Sequence, residues 1–107
     1  MSRYTVAWAV VARDDLDAIA SYIAEDSVIN ALKVVERIES RAESLTSLPT
    51  RGRIVPELRW HGVMNPHELI EKPWRLIYRI EAHRVIVVSV LDGRRSLEDL
   101  LVERFVR

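Results

Sequence analysis

The sequence has 107 residues, of which 49% are hydrophobic, enough to bury one core but too few for a second. Sixteen Lys+Arg balance sixteen Asp+Glu, so the formal net charge is zero and a bulk electrostatic hold on nucleic acid is not expected. The absence of cysteine excludes a disulfide framework and a thiolate metal site. These features predict a single domain over residues 1–107.

The charges are divided unevenly along the chain. Residues 1–50 carry five Lys+Arg and eight Asp+Glu, whereas residues 51–107 carry eleven and eight, and ten of those eleven cations are arginines. A guanidinium is a planar fork of donors suited to carboxylates or phosphates. The second half is therefore predicted to present a recognition surface, although a GC-rich genome would also produce an excess of arginine.

The first elements are predicted to be a strand and a helix. Arg3–Trp8 alternates between apolar and more polar residues, which indicates a strand at or near a sheet edge. From Ala12 the apolar residues follow helical spacing, and aspartates occupy the first turn, where the helix dipole favours negative charge. This first helix is predicted to end near residues 25–26.

A second helix is predicted to begin directly after the first. Ser27 is a suitable N-cap, and the apolar stripe that includes Val34 and Ile38 continues as far as Pro49. Two helices with such a short connection form an antiparallel hairpin. After Pro49 the sequence indicates a surface loop with two arginines, and then a weak strand over Ile54–Trp60.

The remaining strands are predicted from His67 to Asp92. Val85–Leu91 is almost continuously apolar, which indicates an interior strand with both faces covered. In Trp74–Glu81 one alternate set is apolar, while the other contains Arg75 and Arg79. This alternation predicts one packed face and one displayed face.

The C-terminal segment is predicted to form a short helix. Ser96 and Asp99 fit a capping box. The predicted element order is β-α-α-β-β-β-β-α, which describes an α+β fold with the helical hairpin on one face of an antiparallel sheet. The longest apolar run is too short to span a membrane, and the N-terminus lacks a signal-peptide pattern, so a cytoplasmic location is expected.

The sequence lacks the motifs that are typical of most catalytic sites. The histidines, His61, His67 and His83, have no metal-ligand spacing, and no Walker A, GxGxxG or GxSxG motif occurs. We therefore expect no metal and no cofactor. The arginines remain, and they could hold phosphate oxygens or an acidic partner.

Four arginines are the strongest candidates for such contacts. Arg75 and Arg79 lie on the same side of one predicted strand, and Arg94 and Arg95 follow Gly93 before the last helix. The alternative is structural, with Arg75 paired to Glu68 or Glu71 and Arg94 paired to Asp92.

Several segments together resemble the ParE/RelE toxin superfamily, and specifically its ParE branch. They follow the family order over almost the whole chain: Ala12-x-x-Asp15-Leu16-x-x-Ile19-x-x-Tyr22-Ile23-Ala24, Gly52-Arg53-x-Val55-Pro56-Glu57-Leu58, Glu68-Leu69, Pro73-Trp74-Arg75-Leu76-Ile77-Tyr78-Arg79-Ile80 and Gly93-Arg94-Arg95. The resemblance implies the β-α-α-sheet-α architecture and the toxin half of a bacterial type II toxin–antitoxin module, of the kind that stabilises plasmids.

The resemblance implies a gyrase-poisoning toxin without a catalytic site, neutralised by a ParD-like antitoxin from the adjacent gene. The expected partner-binding residues are Val34, Ile38, Arg75, Arg79, Arg94 and Arg95. The alternative is a RelE-type, ribosome-dependent mRNA endonuclease, whose catalytic candidates are Glu57, His67, Glu68, Arg75, Arg94 and Arg95. Such an enzyme needs a general acid or base, and the segment Ser96–Arg107 contains neither Tyr nor His. A further alternative is an inactive member that binds only its antitoxin and co-represses the promoter.

Overall fold

A computed structural model of the protein describes residues 3–106. Nine helices and strands lie in this range: β1 (Thr5–Trp8), α1 (Val10–Ala24), α2 (Val28–Glu43), β2 (Arg53–Ile54), α3 (Pro56–Arg59), β3 (His67–Glu71), β4 (Trp74–Glu81), β5 (Arg84–Asp92) and α4 (Glu98–Phe105). Two short 3-10 turns, Ser44–Thr46 and Pro49–Arg51, connect α2 to β2. Within residues 3–106 every helix is too short or too polar to cross a bilayer.

The five strands form one sheet in the order β1-β5-β4-β3-β2. β2 to β5 pair antiparallel, as predicted. β1 differs, because it pairs in parallel with β5, with Thr5 opposite Arg84. A parallel neighbour requires a long connection, and here most of the chain provides it. The α+β prediction is confirmed, with β1 at an edge and β5 in the interior.

The helical hairpin packs on one face of the sheet and forms the first core. Ser27 caps α2 as predicted, since its side-chain oxygen accepts a hydrogen bond from the Asn30 N–H at 3.1 Å. The apolar stripe of α2 faces the sheet: Ile38 is fully buried, and Val34 packs against the same cluster. Ile38 is thus not accessible as part of the partner surface that we expected, whereas Val34 is half-buried and its contact with a partner stays a prediction. α2 also ends at Glu43, before Pro49.

The second face of the sheet is covered by α3 and α4 rather than displayed to solvent. Ile77 is fully buried and Arg75 is 8% exposed, although both belong to the set that was predicted to be displayed. Ile77 packs in a second core with Leu58 of α3 and Leu101 of α4. The expectation of a half-exposed sheet is wrong because elements distant in sequence cover this face.

Two local predictions were also wrong. Instead of a strand over Ile54–Trp60, the structure has the two-residue strand β2, Arg53–Ile54, and Pro56 then opens α3. A proline fits this first helical position because its missing N–H would have no partner within the helix. α4 begins at Glu98 after Leu97 without a side-chain cap, so Ser96 does not form the predicted capping box. Leu97 is buried in the second core, and this burial positions the start of α4.

Candidate functional site

Four charged residues from four elements form a connected ion-pair network, which we name the Arg75 cluster: Arg53, Glu57, Glu68 and Arg75. Both terminal nitrogens of Arg75 donate to the two carboxylate oxygens of Glu57 at 2.7 Å. Its Nε donates to Glu68 Oε1 at 2.6 Å, and Arg53 Nε donates to Glu68 Oε2 at 2.6 Å. The cluster therefore ties β2, α3, β3 and β4 together.

Hydrogen bonds within the Arg75 cluster change the acidity of two of its members, Glu57 and Arg75. The hydrogen bonds from Arg75 to Glu57 hold the pKa of Glu57 below its ordinary value of 4.5. The same bonds raise the pKa of Arg75 above its ordinary value. The Glu68 side chain is fully buried, and arginines contact both of its oxygens. Each charge is stabilised in place, so the cluster acts as a structural unit.

A shallow groove of about 360 Å³ lies beside the Arg75 cluster. Its lining is mostly cationic and comes from three strands and two turns: Arg53, Ile70, Lys72, Pro73, Arg75, Gly93 and Arg94. The Gly93 N–H donates to Pro73 O at 2.7 Å, and a Cβ on Gly93 would lie 2.8 Å from that same oxygen. A side chain at position 93 would thus push the two walls of the groove apart.

Arg94 is the exposed cation at the rim of this groove. Its side chain is 71% exposed and forms a fork to Asp92 at 2.9 and 3.0 Å. This contact lowers the pKa of Asp92 to about 2 and raises the pKa of Arg94. Arg95 is also exposed. Both arginines remain accessible to a partner, and the predicted Arg94–Asp92 pair is present.

The other candidate residues lie apart from the groove. Arg79 forms an exposed ion pair with Glu81 at 2.5 Å. The His67 ring stacks on Tyr78 with 5.8 Å between centroids, on the face that carries the helical hairpin. The structure thus brings Glu57, Glu68, Arg75 and Arg94 together but leaves His67 on the opposite side of the sheet. Within residues 3–106, His, Asp and Glu side chains form no metal-binding group.

One network was missed by the sequence reasoning. The Asp15 carboxylate accepts hydrogen bonds from the Val90 N–H at 2.9 Å and from Arg104 at 2.9 and 3.1 Å. Arg104 also donates to the buried Ser89 hydroxyl at 2.9 Å. This network attaches α4 to α1 across β5. Asp15 and Arg104 are 89 residues apart in the sequence. In the sequence, Asp15 fits the pattern of an acidic residue near the start of a helix. The residues around it do not indicate that Arg104 is its partner.

Acidification is expected to remove the stabilisation that Glu57 provides. Its folded pKa lies below its unfolded value, so the contribution is present above about pH 4.5 and is lost as the pH falls through the folded pKa. Glu57→Gln should therefore cost about 1.5–3 kcal/mol at about pH 7 and progressively less as the pH falls below the ordinary carboxyl range. Urea unfolding of both proteins at each pH measures the difference. A cost that does not vary with pH would contradict this assignment.

Residues 6–97 match the family model for the ParE toxin of the type II toxin–antitoxin system parDE. Toxin ParE3 of Caulobacter vibrioides is 31% identical over 88 residues, which cover 78% of this chain and 80% of that protein. A structure of the chromosomal ParDE system from P. aeruginosa has a TM-score of 0.67 at 21% identity, over 86% of this chain and 98% of that one.

The RelBE2 toxin–antitoxin complex of Mycobacterium tuberculosis has a TM-score of 0.64 at 22% identity, over 86% and 93% of the two chains. The two structural similarities show a shared fold and confirm the RelE/ParE-like architecture. The family model matches most of the sequence, and the similarity to Toxin ParE3 from Caulobacter also covers most of both chains. On these grounds the chain belongs to the ParE toxin family of type II toxin–antitoxin systems.

Proposed function

We propose that this protein acts in the bacterial cytoplasm as a toxin that inhibits DNA gyrase by direct binding. A ParD-like antitoxin, encoded by the adjacent gene, neutralises it. The observation that carries the choice between gyrase and ribosome is the Arg75 cluster. Arg75, the cation that a nuclease of this fold would present to a phosphate, is instead engaged by two carboxylates.

The acid–base chemistry of the cluster supports binding rather than cleavage. RNA cleavage through the 2′-OH needs a proton acceptor whose pKa lies near neutrality. Glu57 accepts two hydrogen bonds from Arg75, and these bonds lower its pKa, which is away from neutrality. Arginine itself cannot accept the proton. Among the described residues, those that line the groove include cations that can bind an anion but no carboxylate or histidine that could take the proton.

The rim arginines provide the surface for the proposed target. Arg94 and Arg95 are exposed beyond the end of β5, and a planar donor fork suits carboxylates or phosphates on a partner. Arg84 is a matched comparison because it is an exposed arginine at the opposite end of the same strand. The strand rise places it about 30 Å away.

Purified protein is expected to inhibit gyrase supercoiling of relaxed plasmid. The Arg94→Ala/Arg95→Ala double variant should lose about ten- to a hundredfold in inhibitory potency, because two exposed donor forks are removed without a change in the core. Arg84→Ala should retain wild-type potency. Equal potency of the double variant and the wild type would exclude the rim arginines from the contact.

A ribosome assay tests the alternative activity. Wild-type protein should leave mRNA in the ribosomal A site intact. If it cuts this mRNA, if Glu57→Gln abolishes the cut and if gyrase is unaffected, the RelE-type activity replaces the proposal. Toxicity on expression distinguishes both active forms from a member that only binds antitoxin.

A further inference from the structure

Lys72 is a cation that neither the Arg75 cluster nor the proposed gyrase contact uses. It lies in the turn between β3 and β4, and its exposed side chain lines the groove beside the Arg75 cluster. The carboxylates around this groove belong to Glu57, Glu68 and Asp92, and each of them pairs with an arginine. In the part of the chain that the structure describes, no carboxylate forms an ion pair with Lys72.

Arg53 is fixed at one edge of its guanidinium and open at the other. Its Nε donates to Glu68 Oε2 at 2.6 Å, and the Glu68 side chain is fully buried, so this bond holds the guanidinium at the wall of the groove. The two terminal nitrogens of Arg53 donate to no group among the described residues, and 61% of the side chain is exposed. Their N–H donors therefore remain for a ligand.

Arg94 provides further donors from the end of β5. Its Nε and Nη2 donate to the Asp92 carboxylate, which fixes the side chain, while its Nη1 donates to none of the described residues. The hydrogen bond between Gly93 and Pro73 keeps the end of β5 against the β3–β4 turn, so Arg94 and Lys72 line the same depression. Because carboxylates already hold both arginines of the wall, an anion binds there without ordering flexible side chains.

The groove carries one positive charge in excess. Three carboxylates balance Arg53, Arg75 and Arg94, whereas Lys72 is left over. A backbone phosphate of a nucleic acid carries a single negative charge and matches this excess. Among the described residues, the lining contains no aromatic side chain, so a base has no surface on which to stack. The groove therefore suits a backbone phosphate and is not expected to select a base sequence.

The free donors suit a phosphate better than a carboxylate of a protein partner. A guanidinium binds a carboxylate best through two parallel N–H groups, as Arg94 already binds Asp92. Of the donors that remain, only those of Arg53 still form such a fork. Arg94 Nη1 and the Lys72 ammonium come from other elements as separate donors. A tetrahedral phosphate accepts hydrogen bonds from several directions, and lysine is a common phosphate ligand.

We infer that this groove is a phosphate site, in which Arg53, Lys72 and Arg94 hold one backbone phosphate of the DNA that gyrase binds. This inference rests on the proposed function, and it adds a direct contact with the DNA to the contact with the enzyme. The net charge of zero gives the toxin no general attraction to nucleic acid. The free toxin should therefore bind DNA weakly, and gyrase should supply the strand at the site.

The first test measures the binding of a fluorescein-labelled DNA duplex of mixed sequence to the toxin alone, at low salt. Wild-type toxin should bind the duplex. Lys72→Gln should weaken binding by roughly tenfold and reduce the slope of log K against log[salt] by about 1. Lys33→Gln is the matched control, because Lys33 is an exposed lysine on α2 that does not line the groove. It should change the affinity by less than about twofold.

A second pair of variants adds a charge to the groove without removing one. Ile70 lines the groove and is 38% exposed, so a polar side chain can be accommodated there. Ile70→Glu should weaken duplex binding by about a hundredfold or more, because its carboxylate repels the phosphate and takes the same donors. Ile70→Gln has nearly the same shape as Ile70→Glu and should stay within about twofold of the wild type. Equal thermal unfolding midpoints of the two variants show that both are folded.

Four results would overturn the inference. If Lys72→Gln and Lys33→Gln bind the duplex equally well, or if wild-type toxin does not bind it at low salt, the groove is not a phosphate site. Inhibition of gyrase by the wild type would still support the proposed function in both cases. If a polyglutamate peptide of equal charge binds more tightly than the duplex and Lys72→Gln loses it, the groove takes carboxylates. If ATP binds as tightly as the duplex, a free nucleotide and not DNA is the source of the phosphate.

The gyrase assay separates the site from the target. Lys72→Gln should inhibit supercoiling roughly tenfold less potently than the wild type, in parallel with its loss of duplex binding. Loss of duplex binding by Lys72→Gln, together with a wild type that leaves gyrase fully active, would support the phosphate site and refute the proposed function.

Discussion

Arg75→Ala is expected to lower the free energy of unfolding by about 3–5 kcal/mol. The Glu68 side chain is fully buried, and Arg75 is one of the two cations that compensate its charge. Without Arg75, Glu57 loses both of its hydrogen bonds to that guanidinium. Removal of one member of a buried charge network leaves the others without compensation, which costs more than the pair contributes when intact. Urea-induced unfolding monitored by tryptophan fluorescence measures the change.

Two comparisons separate burial of charge from simple loss of an arginine. Arg79→Ala removes an ion pair of which both side chains are more than 40% exposed, so it should cost about 1 kcal/mol or less. The triple variant Glu57→Gln/Glu68→Gln/Arg75→Met removes all of the charges that Arg75 pairs with and should be more stable than Arg75→Ala. If Arg75→Ala and Arg79→Ala are equally stable, the cluster has no special energetic role.

Gly52→Ala is expected to cost about 2–4 kcal/mol. A Cβ at this position would overlap the Tyr78 hydroxyl and lie 2.6 Å from the Glu68 carbonyl oxygen. Tyr78 is fully buried, so it has little space to move away. Its hydroxyl also accepts a hydrogen bond from the Gly52 N–H at 3.0 Å and donates to Pro49 O at 2.7 Å. Insertion of a methyl group would separate the loop from β4.

Gly62→Ala is the matched control for the same chemical change. Gly62 has φ +75°, and a Cβ there would meet nothing within 4 Å. The free energy of unfolding should therefore fall only by the cost of a left-handed backbone at an alanine, about 1 kcal/mol. Thermal unfolding of both variants compares steric overlap with backbone strain. A Gly52→Ala protein as stable as Gly62→Ala would show that the loop adapts without cost.

The local pattern of the sequence was sufficient for the elements whose packing is local. Ser27 marks the start of α2 because its side chain caps the helix without distant partners. Val85–Leu91 reads as an interior strand because both of its faces need apolar residues. Pro56 was misread, since the same residues fit a weak strand or the first turn of a short helix. Only the packing of Leu58 into the second core decides between these alternatives.

The candidate site was less predictable, because its geometry depends on residues far apart in the sequence. An arginine in an alternating strand indicates solvent, yet Arg75 is buried since Glu57 and Glu68 reach it from α3 and β3. The apolar stripe containing Ile38 predicts one buried face correctly, but the pattern does not state which neighbour covers it.

The position of β5 between β1 and β4 has a consequence for synthesis of the toxin. Thr5 leaves the ribosome early, but its pairing partner Arg84 follows 79 residues later. Until β5 emerges, β1 has no neighbouring strand, and α1 lacks the strand against which it packs. Contacts between such distant residues form late because the intervening chain must first be ordered. The nascent chain therefore cannot complete this sheet before β5 has been synthesised, and the cell is not exposed to a folded toxin that still lacks β5.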